Sequence, residues 1–351
     1  MPAAGTGRRL ADRPIVRAAA VGTGLGILLA LVGLNLFGFN AGPADAITYY
    51  AAADRLNIGN PLYAISPDDN WILGSNPPYW TVPLLSPPFI AVIWRPLALL
   101  PWDVALAIWW AGAIVAIGLV IYGMLRARPI FASAALVVFA LPLTFQIPTG
   151  NVNGYILLAA VATWLYARAG RDTEAGLLVA IAAGVKLTPA ILLVWLVTQR
   201  RWRAVRAFGV AAIAVAIISL VGAGWENHLA YLDVIRDTQT VGTTPWSLAG
   251  LARALGMPVE VARFAPWVAI AIGSAVMVWQ RHRPALTFTI AVFLMVWGSP
   301  VVNFDWLCLM LAALAPGIWP LPEARGAPGP EAASASGEAP AAGGPVPAAT
   351  G

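Results

Sequence analysis

The chain has 351 residues, 60% of them hydrophobic and only 11% charged, against about 25% charged in a soluble domain; its mean hydropathy is +0.76 and its net charge +5. That composition excludes a water-soluble globular protein, and the lack of strict apolar/polar alternation excludes a membrane β-barrel. One cysteine and two histidines leave no intrachain disulfide, thiolate metal site or histidine-rich metal site, so no metal or cofactor is expected. The basic residues stand in short clusters between apolar segments, which is the positive-inside pattern of a membrane protein rather than a nucleic-acid surface.

In chain order, residues 1–14 read as a cytoplasmic N-terminal segment, with Arg8, Arg9 and Arg13 in it and Arg17 just beyond. Apolar segments follow at about 15–37, 83–100, 104–125, 130–146, 153–167, 175–198, 204–222, 264–280, 285–302 and 305–320. The fold expected is an all-α polytopic bundle of about 8–10 transmembrane or broken helices over residues 15–320. Outer loops at about 38–82 and 223–263 carry interfacial helices. From about Leu321 the chain turns to Ala, Pro, Gly and Ser, a composition that buries no core and reads as a disordered cytoplasmic tail over 321–351.

If all ten segments crossed, Arg126 and Arg128 would fall outside, against the basic-residue rule. The conflict disappears if 83–100 and 175–198 enter and leave on one side. Each carries the proline of a break: Pro87, Pro88 and Pro96 in the first, Pro189 beside Gly184 and Lys186 in the second. Irregular backbone at membrane depth is tolerated where protein or a water-filled cavity satisfies it, so the two breaks point to a cavity. In this threading the inner loops and tails hold 15 Arg against 6 acidic residues, and the outer set holds 6 basic against 10 acidic. Arg95 and Arg263 are outer exceptions. Both termini are then cytoplasmic in a multi-pass plasma-membrane protein.

Few polar groups interrupt this background. Asp45 opens "AITYYAAADRLN", a helix by propensity, and three readings meet there: a signal-peptidase site at Ala44-Asp45-Ala46, a helix cap, and a catalytic base. The apolar stretch before it, about 23 residues, is too long for the 7–15 of a signal-peptide core; cap and base stay open. "QIPTGNVNGY" over 146–155 offers a tight turn or, through Asn151 and Asn153, substrate amides. Lys186 is the chain's single lysine and sits inside an apolar run, where an ammonium calls for a partner or a function. An apolar stripe of Trp225, Leu229, Leu232 and Ile235 marks an interfacial helix holding Glu226 and His228, with a solvated face as the plain reading of both. Asp305, next to the Ser299-Pro300 break, would pair with Lys186, pair with an arginine, or bind substrate. P-loop, GxGxxG, HExxH and GxSxG patterns are absent, which disfavours a nucleotide-driven pump. A transporter or lipid flippase with a polar site around Lys186 remains the alternative to an enzyme.

Three stretches carry a family resemblance: "DAITYYAAADRLNIGNPLY", then "SPPFIAVIWRPLALLP", then the run from "GNVNGYILLAAVATWLYARAG" through "GVKLTPAILL" to "RRWRA". In order and type they resemble the polytopic glycosyltransferases of family 87. These belong to the GT-C superfamily and include polyprenol-phosphate-mannose-dependent mannosyltransferases of actinobacteria. The resemblance covers about residues 40–320; it departs at Pro245-Trp246, where the family commonly has an amide before the serine. It implies an inverting glycosyltransferase that moves a sugar, mannose first among candidates, from a polyprenyl-monophosphate donor to a lipid or glycan acceptor on the outer membrane face. It further implies Asp45 as base and Lys186, with Arg253 or Arg263, on the donor phosphate. Tyr49, Asn151, Asn153, His228 and Asp305 are the candidate substrate contacts.

Overall fold

The computed structural model describes residues 43–64, 84–241 and 244–321, with isolated positions at 24, 26 and 31. The apolar segment read at 15–37, part of the first outer loop and the tail after 321 lie outside the described residues. By contacts the chain separates into a unit of Met1–Pro320, which holds all the helices described, and one of Leu321–Gly351.

Among the described residues every regular element is helical. In chain order they are α1 (Ala44–Asn57), α2 (Pro88–Trp94), α3 (Trp102–Ala127), α4 (Pro129–Thr149), α5 (Asn153–Arg168), α6 (Asp172–Val185), α7 (Ile191–Thr198), α8 (Trp202–Ala223), α9 (Trp225–Val241), α10 (Leu248–Ala254), α11 (Val259–Ala262), α12 (Ala265–Trp279), α13 (Pro284–Trp297) and α14 (Ala315–Ile318). Short 3₁₀ turns at Leu97–Leu99 and Thr188–Ala190 join them, and a long 3₁₀ run, Phe304–Leu314, precedes α14. Among the described residues four helical stretches are long and apolar enough to cross about 30 Å of hydrocarbon: α3, α4, α8 and the combined run Val259–Trp279. Val115 of α3 and Ile213 and Val221 of α8 stand exposed, as lipid-facing side chains do.

The two broken segments are resolved differently from a span. In the first, α2 has seven residues, about 10 Å at 1.5 Å per residue, and cannot cross. In the second, α6 begins with Asp172 and Glu174 in its first turn, favourable at the positive end of the helix. It stops at Lys186, which is extended (φ −151°, ψ 129°), because Pro189 has no N–H to continue the ladder. The chain then doubles back: Arg201 Nη1 lies 2.6 Å from Asp172 Oδ1, so the two ends of the hairpin stand side by side and Lys186 is at the far tip.

This hairpin separates two poles. At one, Trp164 Nε1 donates to the Trp319 carbonyl, Arg168 Nε to Pro320 and Trp195 Nε1 to Pro284, beside the Asp172–Arg201 pair. Ten of the thirteen arginines from Arg126 to Arg283 stand at the helix ends on this side, all but Arg236, Arg253 and Arg263, against Asp172 and Glu174. At the other lie Asp45, the 149–153 turn, Lys186 and Asp305, with acidic residues in excess among those described. The hairpin packs on α8 through small residues, and a Cβ on Gly176 would run into the Ala204 carbonyl. Gly176→Val is therefore expected to destabilise the protein by about 1–3 kcal/mol, read as a lower melting temperature in detergent.

Candidate active site

Asp45 sits in the first turn of α1, after Pro43, which occupies the cap position and makes no side-chain cap bond. The capping role considered from sequence is thus not the one Asp45 takes. Its Oδ2 instead accepts a 3.0 Å bond from Asn151 Nδ2, 106 residues away, and Oδ1 receives no hydrogen bond among the described residues. Small residues make that approach feasible. Ala46 is fully buried against the turn at Gly150, where an added Cβ would collide with the Ala46 methyl. Gly150 also holds φ +68°, ψ 25° as the left-handed cap that ends α4.

The turn after Gly150 is tied from several sides. Trp109 Nε1 donates to the Gly150 carbonyl at 2.8 Å, and Gln146 Nε2 to the Asn151 carbonyl at 3.1 Å. Asn151 Oδ1 accepts from the Asn153 backbone N–H at 3.1 Å. Asn153 then reaches both remaining charges: its Oδ1 accepts from Lys186 Nζ at 2.9 Å, and its Nδ2 donates to Asp305 Oδ2 at 3.2 Å. Lys186 Nζ also lies 3.0 Å above the centre of the Trp306 ring. Of the ammonium's three donors, one is spent on Asn153 and one faces the indole, and none of the ion pairs among the described residues involves it.

These groups border a cavity of about 390 Å³, within the range of small-molecule sites. Asp45, Tyr49, Asn151 and Lys186 line it with Ser86, Tyr231, Asn303 and Trp306, while Leu187, Ile191, Ile235, Trp267, Ile270 and Leu294 supply apolar wall. Burial pushes the Asp45 carboxyl up to about 6, against the opposing pull of the Lys186 charge and the Asn151 bond. Among the described residues no cluster of three His, Cys, Asp or Glu side chains could hold a metal.

Not every residue singled out in the sequence reaches this cavity. Asn153 and Asp305 are buried behind its wall; Asn153 bonds the lining residues Lys186 and Asn151, and Asp305 bonds Asn153. His228 lies outside it: the Gly224 carbonyl at 2.8 Å requires the proton on Nδ1, and Nε2 then accepts from Ser219 Oγ at 2.9 Å. Arg253 is exposed on α10, and Arg263 packs its guanidinium over Phe264; neither lines the cavity, so the cation there is Lys186. Trp306 and Tyr231 escaped the sequence reading. Trp306 directly follows Asp305, and Tyr231 falls one helical turn before Ile235 of the recognised stripe, which is the signal that was there to use.

The model of Glycosyltransferase family 87 matches residues 85–300. The chain is 30% identical over 280 residues to a polyprenol-phosphate-mannose-dependent alpha-(1-2)-phosphatidylinositol pentamannoside mannosyltransferase of Mycolicibacterium smegmatis, covering 72% of this chain and 63% of the relative. A Mycobacterium tuberculosis protein of the same description is 30% identical over 258 residues, 67% of this chain and 56% of its own length. The chain thus spans about three fifths of the length of these curated relatives. No solved structure matches.

The geometry at Gly150 carries a prediction. Gly150→Ala is expected to lower stability twice over, through the left-handed backbone, at about 1–2 kcal/mol, and through the clash with Ala46. Thermal melts of Gly150→Ala and Gly150→Ala/Ala46→Gly should show partial recovery in the double variant, since only the clash is relieved.

Proposed function

Since this chain belongs to glycosyltransferase family 87, we propose that it is a membrane glycosyltransferase that moves a sugar from a polyprenyl-monophosphate donor to an acceptor hydroxyl. Mannose is the donor sugar suggested by the mycobacterial relatives, and a phosphatidylinositol-mannoside-like glycolipid is the first acceptor to try. The observation that carries this reading is that a carboxylate and an ammonium, Asp45 and Lys186, line one cavity whose remaining wall is largely apolar. A phosphate headgroup on a prenyl chain has that combination of charge and hydrocarbon.

In this reading the acceptor oxygen attacks the anomeric carbon from the face opposite the phosphate. Asp45 takes the hydroxyl proton as the new C–O bond forms. The bond from the anomeric carbon to the phosphate oxygen breaks, its electron pair leaves with the polyprenyl phosphate, and the configuration inverts. Lys186 offsets the charge that builds on that oxygen. Asp45 lies at the base end of this arrangement because Asn151 holds one oxygen and leaves the other for the proton.

Charge supports an outward-facing site. The pole rich in arginine is the cytoplasmic one by the positive-inside rule, which leaves Asp45 and Lys186 toward the extracytoplasmic face of the plasma membrane.

Purified protein incubated with polyprenyl-phosphate sugars and a glycolipid extract, followed by mass spectrometry of the products, tests the reading; no glycosylated product from any donor counts against it. Asp45→Asn should lower turnover by about 10²–10⁴-fold, the usual worth of a general base, at nearly unchanged melting temperature. A base acts only when deprotonated, so wild-type kcat/KM should fall as pH drops through about 6; no loss between pH 7 and pH 5 argues against Asp45. For orientation, Asp233→Cys and Arg203→Cys are compared in a Cys308→Ser background. An impermeant thiol reagent applied to intact cells should label the first and spare the second.

A further inference from the structure

Asn153 and Asp305 are 0% and 2% exposed, and neither lines the cavity, yet they stand one and two hydrogen bonds behind its cation. A carboxamide between a cation and an anion has a single favourable setting, because turning it over would aim its NH2 at the ammonium and its oxygen at the carboxylate. Asp305 therefore decides which way Asn153 faces, and Asn153 decides where Lys186 is held.

Among the described residues Asp45 and Asp305 are the two carboxylates whose charge acts on Lys186. Asp45 has to gain a proton during the reaction proposed above, so it does not serve as a lasting counter-charge. Asp305 does, and it does so at a distance. A carboxylate in direct contact would set its full negative charge against the ammonium and cancel its attraction for an incoming anion, whereas the neutral amide takes one donor without doing so. With the Asn153 amide interposed, the charge is balanced and one N–H is left for the cavity.

The long 3₁₀ run explains how Asp305 and Trp306 serve the same lysine. Three residues per turn put Asp305, Cys308 and Leu311 on one buried line, and Trp306, Leu309 and Ala312 on the adjacent one. Asp305 meets Asn153 while Trp306 lies under the ammonium.

We propose that Asp305 is a positioning residue for anion recognition: through the Asn153 amide it orients and balances the Lys186 ammonium without covering it, so that the cavity binds the phosphate of a lipid donor. This inference rests on the reading of Lys186 as the phosphate ligand.

The test titrates a polyprenyl monophosphate into the purified full chain in nanodiscs and measures sugar transfer on the same samples. Asp305→Asn, which removes the counter-charge but keeps the shape, is expected to weaken phosphate binding at least tenfold. Asn153→Asp, which sets a carboxylate directly against the ammonium, should weaken it comparably. The exchanged variant Asn153→Asp/Asp305→Asn keeps the net charge and the hydrogen bonds; it should recover the wild-type melting temperature and yet stay weak in binding, a split that a purely structural role does not produce. Affinity within twofold of wild type for Asp305→Asn, or full recovery of affinity in the exchanged variant, overturns the proposal. If Asp305→Asn does not accumulate as folded protein, the exchanged variant decides. A wild-type protein that binds the phosphate but transfers no sugar overturns the glycosyltransferase reading alone, and one that binds no phosphate overturns both.

Discussion

An ammonium buried beside hydrocarbon costs several kcal/mol unless other groups replace the water it has lost, and the architecture around Lys186 is organised by that constraint. A lysine on a continuous helix would point at lipid or at a packed neighbour. Here the helix stops at the lysine, the chain turns back through Pro189, and the tip of the hairpin delivers the ammonium to Asn153 and to the face of Trp306. The surrounding order follows: α5 starts at Asn153 because Gly150 ends α4 just before it, and the 3₁₀ run brings Trp306 and Asp305 to the same point.

The same hairpin links the site to the opposite pole of the molecule. Its ends are joined by the Asp172–Arg201 pair, and its body is pressed to α8 where Gly176 meets Ala204. The ion pair is partly shielded from water, with side chains near 20% exposed, and it closes a loop whose far end is Lys186. Close packing of Gly176 of α6 on Ala204 of α8 thus fixes the body of the hairpin whose tip carries the Lys186 ammonium.

Much of this was legible before any coordinates. Apolar runs and proline breaks marked helices and interruptions, and the break between Gly184 and Pro189 is where the structure has it. The lone lysine and the isolated Asp45 stood out because a hydrocarbon background makes each charge expensive and therefore meaningful. His228, Arg253 and Arg263 show the limit of that logic. They stand in the stretch read from the sequence as an outer loop (223–263), where polar residues are ordinary, so their presence carried little information about the cavity. Asn153 and Asp305 were recognised as polar exceptions, but sequence spacing had no means of telling a wall residue from one standing behind the wall.

By itself the sequence determined that this is a helical membrane protein with a few intramembrane polar groups, because composition and periodicity act locally along the chain. The tertiary structure alone decided which of those groups meet. Asp45 touches Asn151 across 106 residues, and Asn153 reaches Asp305 across 152. Contacts at that separation depend on how helices cross and on where Gly150 and Gly176 let backbones approach, and no local propensity encodes that geometry.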